Sequence, residues 1–346
     1  MSGVAITAGG LVTAVGFNAT ASCAAIRAGI RGVRETNLFD PGSGEPVPAG
    51  KVDLPQWSEG TEKLADLVAP AIGECLIAAN EEPERIPILL GVHGSDRPHG
   101  FAGLGEALLD EIEVRLGIER HPQSGVAPRG QVSAALALRR ASTIIEKGIA
   151  RACVVAGVDS LMRQRVVDAY AQRRRVVTAD NSNGFFPGEA GSAVLVCATQ
   201  SIAGPRLEVL GMGFSREPAG IDSTDACRGE GLTHAIRDAV GAAGVDFGSL
   251  AFRVTDLNGE HYKFKEATFA VTRMEKRPHH EPFEVWHPIE YIGEVGAAIG
   301  PVALTVALTA GRRGYAPGEF VLFHFSSDDG ERAAIVGRYS DPRGVA

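Results

Sequence analysis

The sequence lacks a basic surplus. Lys and Arg number 34 against 42 Asp and Glu, giving a formal net charge of -8 and a pI near 5.7. A general nucleic-acid binder carries the opposite balance, so no nucleic acid is expected as a partner. No stretch approaches the roughly 18 unbroken apolar residues of a membrane span, so no membrane partner is expected. The opening MSGVAITAGGLVTAVG has no basic segment ahead of an apolar run. It predicts no secretory signal and a cytoplasmic protein. The triplet Asn18-Ala19-Thr20 therefore carries no glycosylation meaning.

Cysteine pairs are missing too. Cys23, Cys75, Cys153, Cys197 and Cys227 are widely spread with no CxxC, which predicts reduced thiols. No zinc spacing forms. Of nine histidines only His279 and His280 are adjacent, in KRPHHEP, a segment expected to be an exposed loop. There is no P-loop and no GxGxxG, so nucleotide binding has no support, and no metal or cofactor is expected.

What the chain does have is apolar material in alternating patterns. It is 346 residues long and 45% hydrophobic, enough for two domains or one large α/β unit. Val4 to Ile6 opens a first strand. Ile86 to Val92 is a continuous apolar run, as in a strand buried on both faces. Gln131 to Lys147 places Ala134, Leu138, Ala141 and Ile145 on one helical face, with Gly148 as the stop. Ala152 to Gly157 and Ser192 to Ala198 are further strands. The order then recurs: Leu207 to Met212 strand, Thr233 to Ala243 helix, Ala251 to Thr255 strand. Val295 to Ala310 is apolar nearly all round and predicts a buried helix. Val321 to Phe325 and Ala333 to Val336 close as strands. Recurrence of element order suggests two related halves, 1–203 and 204–346, joined near Ala203-Pro205. Asn37 to Trp57 and Phe214 to Arg228 are expected to be long loops.

Four segments resemble the β-ketoacyl synthases of the thiolase superfamily. AITAGGLVTAVGFNATASCAAIRAGIRGV is similar to that family's opening strand, G-x-V-T-x-x-G and helix. ARACVVAGVDS is similar to its strand leading to AGG. NSNGFFPGEAGSAVLV resembles its DGFv-x-GEGAG segment, and GEVGAAIGPVALTVAL its GH-x-x-GAAG segment. These run in the family's order from about residue 3 to residue 338. The resemblance implies a five-layer α/β/α/β/α sandwich of two similar halves.

The family's chemistry needs a cysteine at a helix N-terminus, where the dipole and nearby histidines favour the thiolate. Two histidines then assist decarboxylation and stabilise the enolate. In this chain the nucleophile position aligns with Gln131, and an amide cannot form a thioester. One histidine position aligns with Glu294. The other falls on Asp256 or Asn258, with His261 three residues further on as a displaced candidate. The family's lysine aligns near Ile289, and its GFGG turn near Ser327-Asp328-Asp329-Gly330.

Two function classes follow. In one, the chain has lost condensation and serves as a non-catalytic partner subunit or adaptor, as a homodimer or a heterodimer with a synthase-like chain. Phe185 or Phe186 would then fill the old pocket. In the other, Gln131, Asp256 or Asn258, and Glu294, with His287 nearby, form a rebuilt acyltransferase or decarboxylase site. Glu294 also reads as a solvated or capping residue at a helix start. Arg163, Arg165, Arg173, Arg174 and Arg175 stand out in an acidic chain. They read either as a landing surface for an acidic carrier protein or as a solvated charge run.

Overall fold

The computed structural model describes residues 3–55, 58–101, 103–275 and 282–342. In the first half the elements are β1 (Val4–Val12), α1 (Ala19–Arg27), β2 (Val33–Arg34), β3 (Ala49–Gly50), α2 (Gly60–Ala79), β4 (Ile88–Val92), α3 (Glu106–Leu116), β5 (Gly125–Pro128), α4 (Ser133–Glu146), β6 (Ala152–Ser160), α5 (Gln164–Gln172) and β7 (Glu189–Ala198). There follow β8 (Arg206–Arg216), α6 (Glu230–Ala243), β9 (Phe252–Thr255), α7 (His261–Met274), β10 (Glu284–Trp286), α8 (Ile289–Ile292), α9 (Ile299–Arg312), β11 (Phe320–Ser326) and β12 (Glu331–Ser340).

Ten strands form one sheet in the order β10-β9-β11-β12-β8-β1-β7-β6-β4-β5. From the centre outward, the run β1-β7-β6-β4-β5 matches the run β8-β12-β11-β9-β10. In each, the first two pairings are antiparallel and the last two parallel. Among the described residues, the two runs meet only where Val4, Ala5 and Ile6 pair with Val209, Glu208 and Leu207.

Strand alternation sorts the side chains into layers. On β6, Cys153 and Val155 face the central cluster, while Val154 and Ala156 face α2 and α3. On β11, Val321, Phe323 and Phe325 face the same centre, and Leu322 faces the cluster built on α6 and α7. The centre itself is α4 and α9. The result is five layers, α2/α3, sheet, α4/α9, sheet, α6/α7, the thiolase-type sandwich.

Helix α9 is apolar all round because it has sheet on both sides. Ile299, Val302, Leu304, Val306 and Leu308 are all buried there, each worth about 1.5–3 kcal/mol. Every strand and helix expected from the sequence is present, with small differences at the ends. The expected loop at Phe214 starts later, since β8 continues to Arg216. Helices α2, α3, α7 and the one-turn α8 are among the additional elements. His279 and His280 lie outside the described residues. Among the described residues, no helix is long and apolar enough to cross a membrane.

Candidate functional site

Parallel strands end where the connections into the next helices begin, and such ends collect polar groups. Here the carboxyl ends of β4, β6, β9 and β11 face the starts of α4 and α9. Each helix start is one tight turn, Gly130–Val132 and Gly296–Ala298, opened by a glycine of positive φ.

Gln131 sits in the first of these turns and is 7% exposed. Its Nε2 donates to Oε1 of Glu294 at 3.4 Å. The same oxygen accepts the Gly296 N–H at 2.9 Å, and Oε2 accepts Asn258 Nδ2 at 2.7 Å. Three sequence-predicted positions are thus joined through one carboxylate. Burial pushes the Glu294 carboxyl up, while Lys263 and the Asn258 hydrogen bond pull it back. All its partners are donors, the arrangement an ionised carboxylate takes. Glu294 caps a helix start as one reading held, but it is buried rather than solvated.

Asp256 lies beside this chain of contacts, not in it. Its Oδ2 accepts from Lys263 Nζ at 2.8 Å and from the Ser326 N–H at 2.9 Å. Lys263 is 3% exposed, which its ion pair makes tolerable.

Around the network stand ion pairs that sequence reasoning missed. Asn258 also donates to Glu260 at 3.0 Å. Glu260 takes a two-point bond from Arg175, 2.7 and 2.9 Å, and Arg175 also holds Asp328 at 2.7 and 3.1 Å. Arg97 grips Asp159 at 2.6 and 3.2 Å. Deeper under α7, Arg332 pairs with Glu266 at 2.7 Å, both almost fully buried. The available signal was a charge set inside an apolar stretch, as in AGVDS and ERAAIV.

Several expectations are corrected. Arg175 is no landing residue: it is 6% exposed and fully engaged by two carboxylates. Arg165, Arg173 and Arg174 are exposed, and Arg163 is half-buried over the Phe101 ring. His287 Nδ1 lies 3.5 Å from Glu290 Oε2 and stays outside the network. His261 is exposed at the start of α7. Phe185 does not plug the Gln131 site; it packs edge-on to Tyr170 in a separate cluster with Leu38, Val47 and Val176. Phe186 contributes backbone, its carbonyl accepting the Glu294 N–H at 2.8 Å.

No thiol replaces the missing nucleophile. Burial pushes all five up, Cys23 to about 11 and Cys153 to about 12, so none is a ready thiolate. Among the described residues, no group of three His, Cys, Asp or Glu is placed to hold a metal ion. Four surface clefts of about 370 to 850 Å³ are lined by residues outside the Gln131 network.

The layering and the twin helix starts define a ketosynthase-type thiolase fold. The ishigamide ketosynthase/chain length factor superimposes with a TM-score of 0.76 at 16% identity, covering 97% of this chain and 99% of that one. The ketosynthase ApeO in complex with its chain length factor ApeC, from Xenorhabdus doucetiae, gives 0.75 at 14% identity and 98% coverage of both chains. An oxazolomycin ketosynthase domain from Streptomyces albus JA3453 gives 0.80 at 14% identity, covering 98% of this chain and 75% of that one. No protein-family profile and no curated protein matches the sequence. The likeness is one of fold.

Proposed function

We propose that this protein is a non-condensing subunit, a thiolase-fold chain that acts by pairing with a synthase-like chain rather than by forming a thioester. The observation that carries this reading is the state of Gln131. Its amide is tied to Glu294 in a buried network, and the nearby cations Arg97, Arg175 and Lys263 all hold carboxylates. A group spent on internal ion pairs is not free to load an acyl chain or to stabilise an enolate. Two of the similar structures are a ketosynthase with its chain length factor, which supports a partner of this kind.

Strand β5 forms one end of the sheet and, among the described residues, pairs only with β4. Its other side suits a two-fold contact with a second copy or with a synthase-like chain. Pro128, at its end, donates no hydrogen bond and keeps that contact short. The halves 1–203 and 204–346 would move as one body in such a dimer. The exposed Arg165, Arg173 and Arg174 suit an acidic carrier protein on the same assembly.

Incubation with acyl-CoA or acyl-carrier protein should leave the intact mass unchanged, and a stoichiometric adduct would overturn the reading. Co-expression with a chain bearing Cys-His-His should give a stable complex by light scattering. A monomer that ignores such a chain counts against it.

The convergence of Gln131, Asn258 and Glu294 favours a second reading, an acyltransferase or decarboxylase with a rebuilt site. It requires turnover of an acyl-CoA or acyl-carrier substrate that Glu294→Ala abolishes while the fold survives.

A further inference from the structure

Between α1, α2 and α9 a cleft of about 640 Å³ reaches down to β1, in the middle of the ten-stranded sheet. It shares no residue with the Gln131 network. β1 runs beside β7 along its whole length but beside β8 only over Val4–Ile6. Among the described residues, no strand lies next to the β8-facing side of β1 past Ile6. Leu11 uses that side, its N–H donating to Glu74 at 3.0 Å. Peptide groups alternate along an antiparallel strand, so Gly9, two residues earlier, turns its N–H and C=O the same way. Gly9 is half-buried and lines the cleft.

Next to it is Thr305, whose hydroxyl would lie 2.2 Å from a Cβ at residue 9. Thr305 is 2% exposed, and among the described residues its hydroxyl has no hydrogen-bond partner. A buried hydroxyl left unpaired weakens the fold and calls for an explanation. At the mouth stand Arg27, its guanidinium 3.6 Å from the Tyr315 ring centre, and the exposed Arg313. Glu74 is occupied on the opposite wall by the N–H groups of Leu11 and Ala19. Ala8, Ala24, Ile77 and Leu308 complete an apolar side.

We propose that this cleft binds a small organic carboxylate carrying a second hydrogen-bonding group. The carboxylate lies between Arg27 and Arg313, the amide or hydroxyl reaches Thr305 and Gly9, and the body covers the apolar side. The volume suits such a molecule.

The probes are hippurate, which has a carboxylate, an amide and a ring, benzoate, which lacks the amide, and inorganic phosphate at matched ionic strength. Calorimetry and thermal melting on the full chain should show hippurate binding one per chain, with benzoate about ten-fold weaker and phosphate without effect. Thr305→Val should melt higher than the parent without ligand, because the unpaired hydroxyl is gone, and should lose the preference for hippurate over benzoate. Arg313→Ala should keep the parent melting temperature and weaken both carboxylates. No binding of hippurate at millimolar concentration, an equal response to phosphate, or an unchanged preference in Thr305→Val would each overturn the proposal.

Discussion

Helices α4 and α9 start alike, from Gly130 with φ of 55° and Gly296 with φ of 50°. Their surroundings differ. A Cβ on Gly130 would first meet the Ser327 hydroxyl at 3.2 Å, a single side-chain atom rather than an ion pair. A Cβ on Gly296 would lie 1.8 Å from Asp159 Oδ2 and 2.8 Å from Arg97. The same backbone device is used twice, but an ion pair is wedged against one copy. The two halves share a topology and divide the labour: one supplies Gln131, Arg97, Asp159 and Arg175, the other most of the acids and Lys263. The twin scaffold sets positions, and the unequal filling sets chemistry.

The strongest way to break that division is Arg175→Ala. Arg175 precedes β7, yet it holds Glu260 and Asp328 from beyond β8. Its loss leaves two carboxylates without their cation and should cost about 3–5 kcal/mol in urea unfolding. Next comes the pair of helix starts. Gly296→Ala should cost more than about 3 kcal/mol, since the Arg97–Asp159 pair must move. Gly130→Ala should cost about 1–2 kcal/mol, the penalty of a left-handed residue alone. Equal losses would mean that the ion pair is not what separates the two starts.

A titration sharpens the contrast. Burial alone would raise the Asp328 carboxyl, but Arg175 beside it, with Lys263 and Arg97 further off, holds it at about 2 against an ordinary 3.8. A depressed carboxyl adds stability that is complete above its unfolded value and is lost as pH falls through the folded one. Between pH 4 and pH 2 the protein should therefore lose roughly 2 kcal/mol from this group. Arg175→Ala should flatten that part of the profile. Glu294 acts with the opposite sign. Its raised carboxyl contributes fully below the unfolded value, and that contribution fades as pH rises through the folded one. The smallest effect belongs to Gln131→Ala, which removes a 3.4 Å bond and should cost about 0.5–1.5 kcal/mol by the same unfolding measurement.

Legibility in the sequence followed the apolar pattern. The buried strands and helix α9 were visible because burial on two sides leaves unbroken apolar runs. Helix α7 was not, because Lys263 and Glu266 occupy its buried face, and a charged residue counts as solvent-facing until its partner is known. Those partners, Asp256 and Arg332, are set by tertiary packing. Helix α2 was hidden by Pro70, which sits inside it. Proline there breaks the expected hydrogen bonding, but its position on the exposed side leaves the buried stripe from Leu64 to Leu76 intact. At the site, aligned motifs located Gln131, Asn258 and Glu294. The pairing of Arg175 with Glu260 and Asp328 escaped, because ion pairs that span 85 and 153 residues leave no local trace.

The placement of β1 at the middle of the sheet also sets a timetable. Its first residue pairs with Ala198 on one side and Val209 on the other. A ribosome adding about 5–20 residues per second delivers the first of these partners roughly 10–40 s after β1 itself. For that interval an apolar strand waits without its neighbours, exposed to other nascent chains. Synthesis speed, and whatever shelters the strand in the meantime, then governs how much of the protein reaches its sandwich.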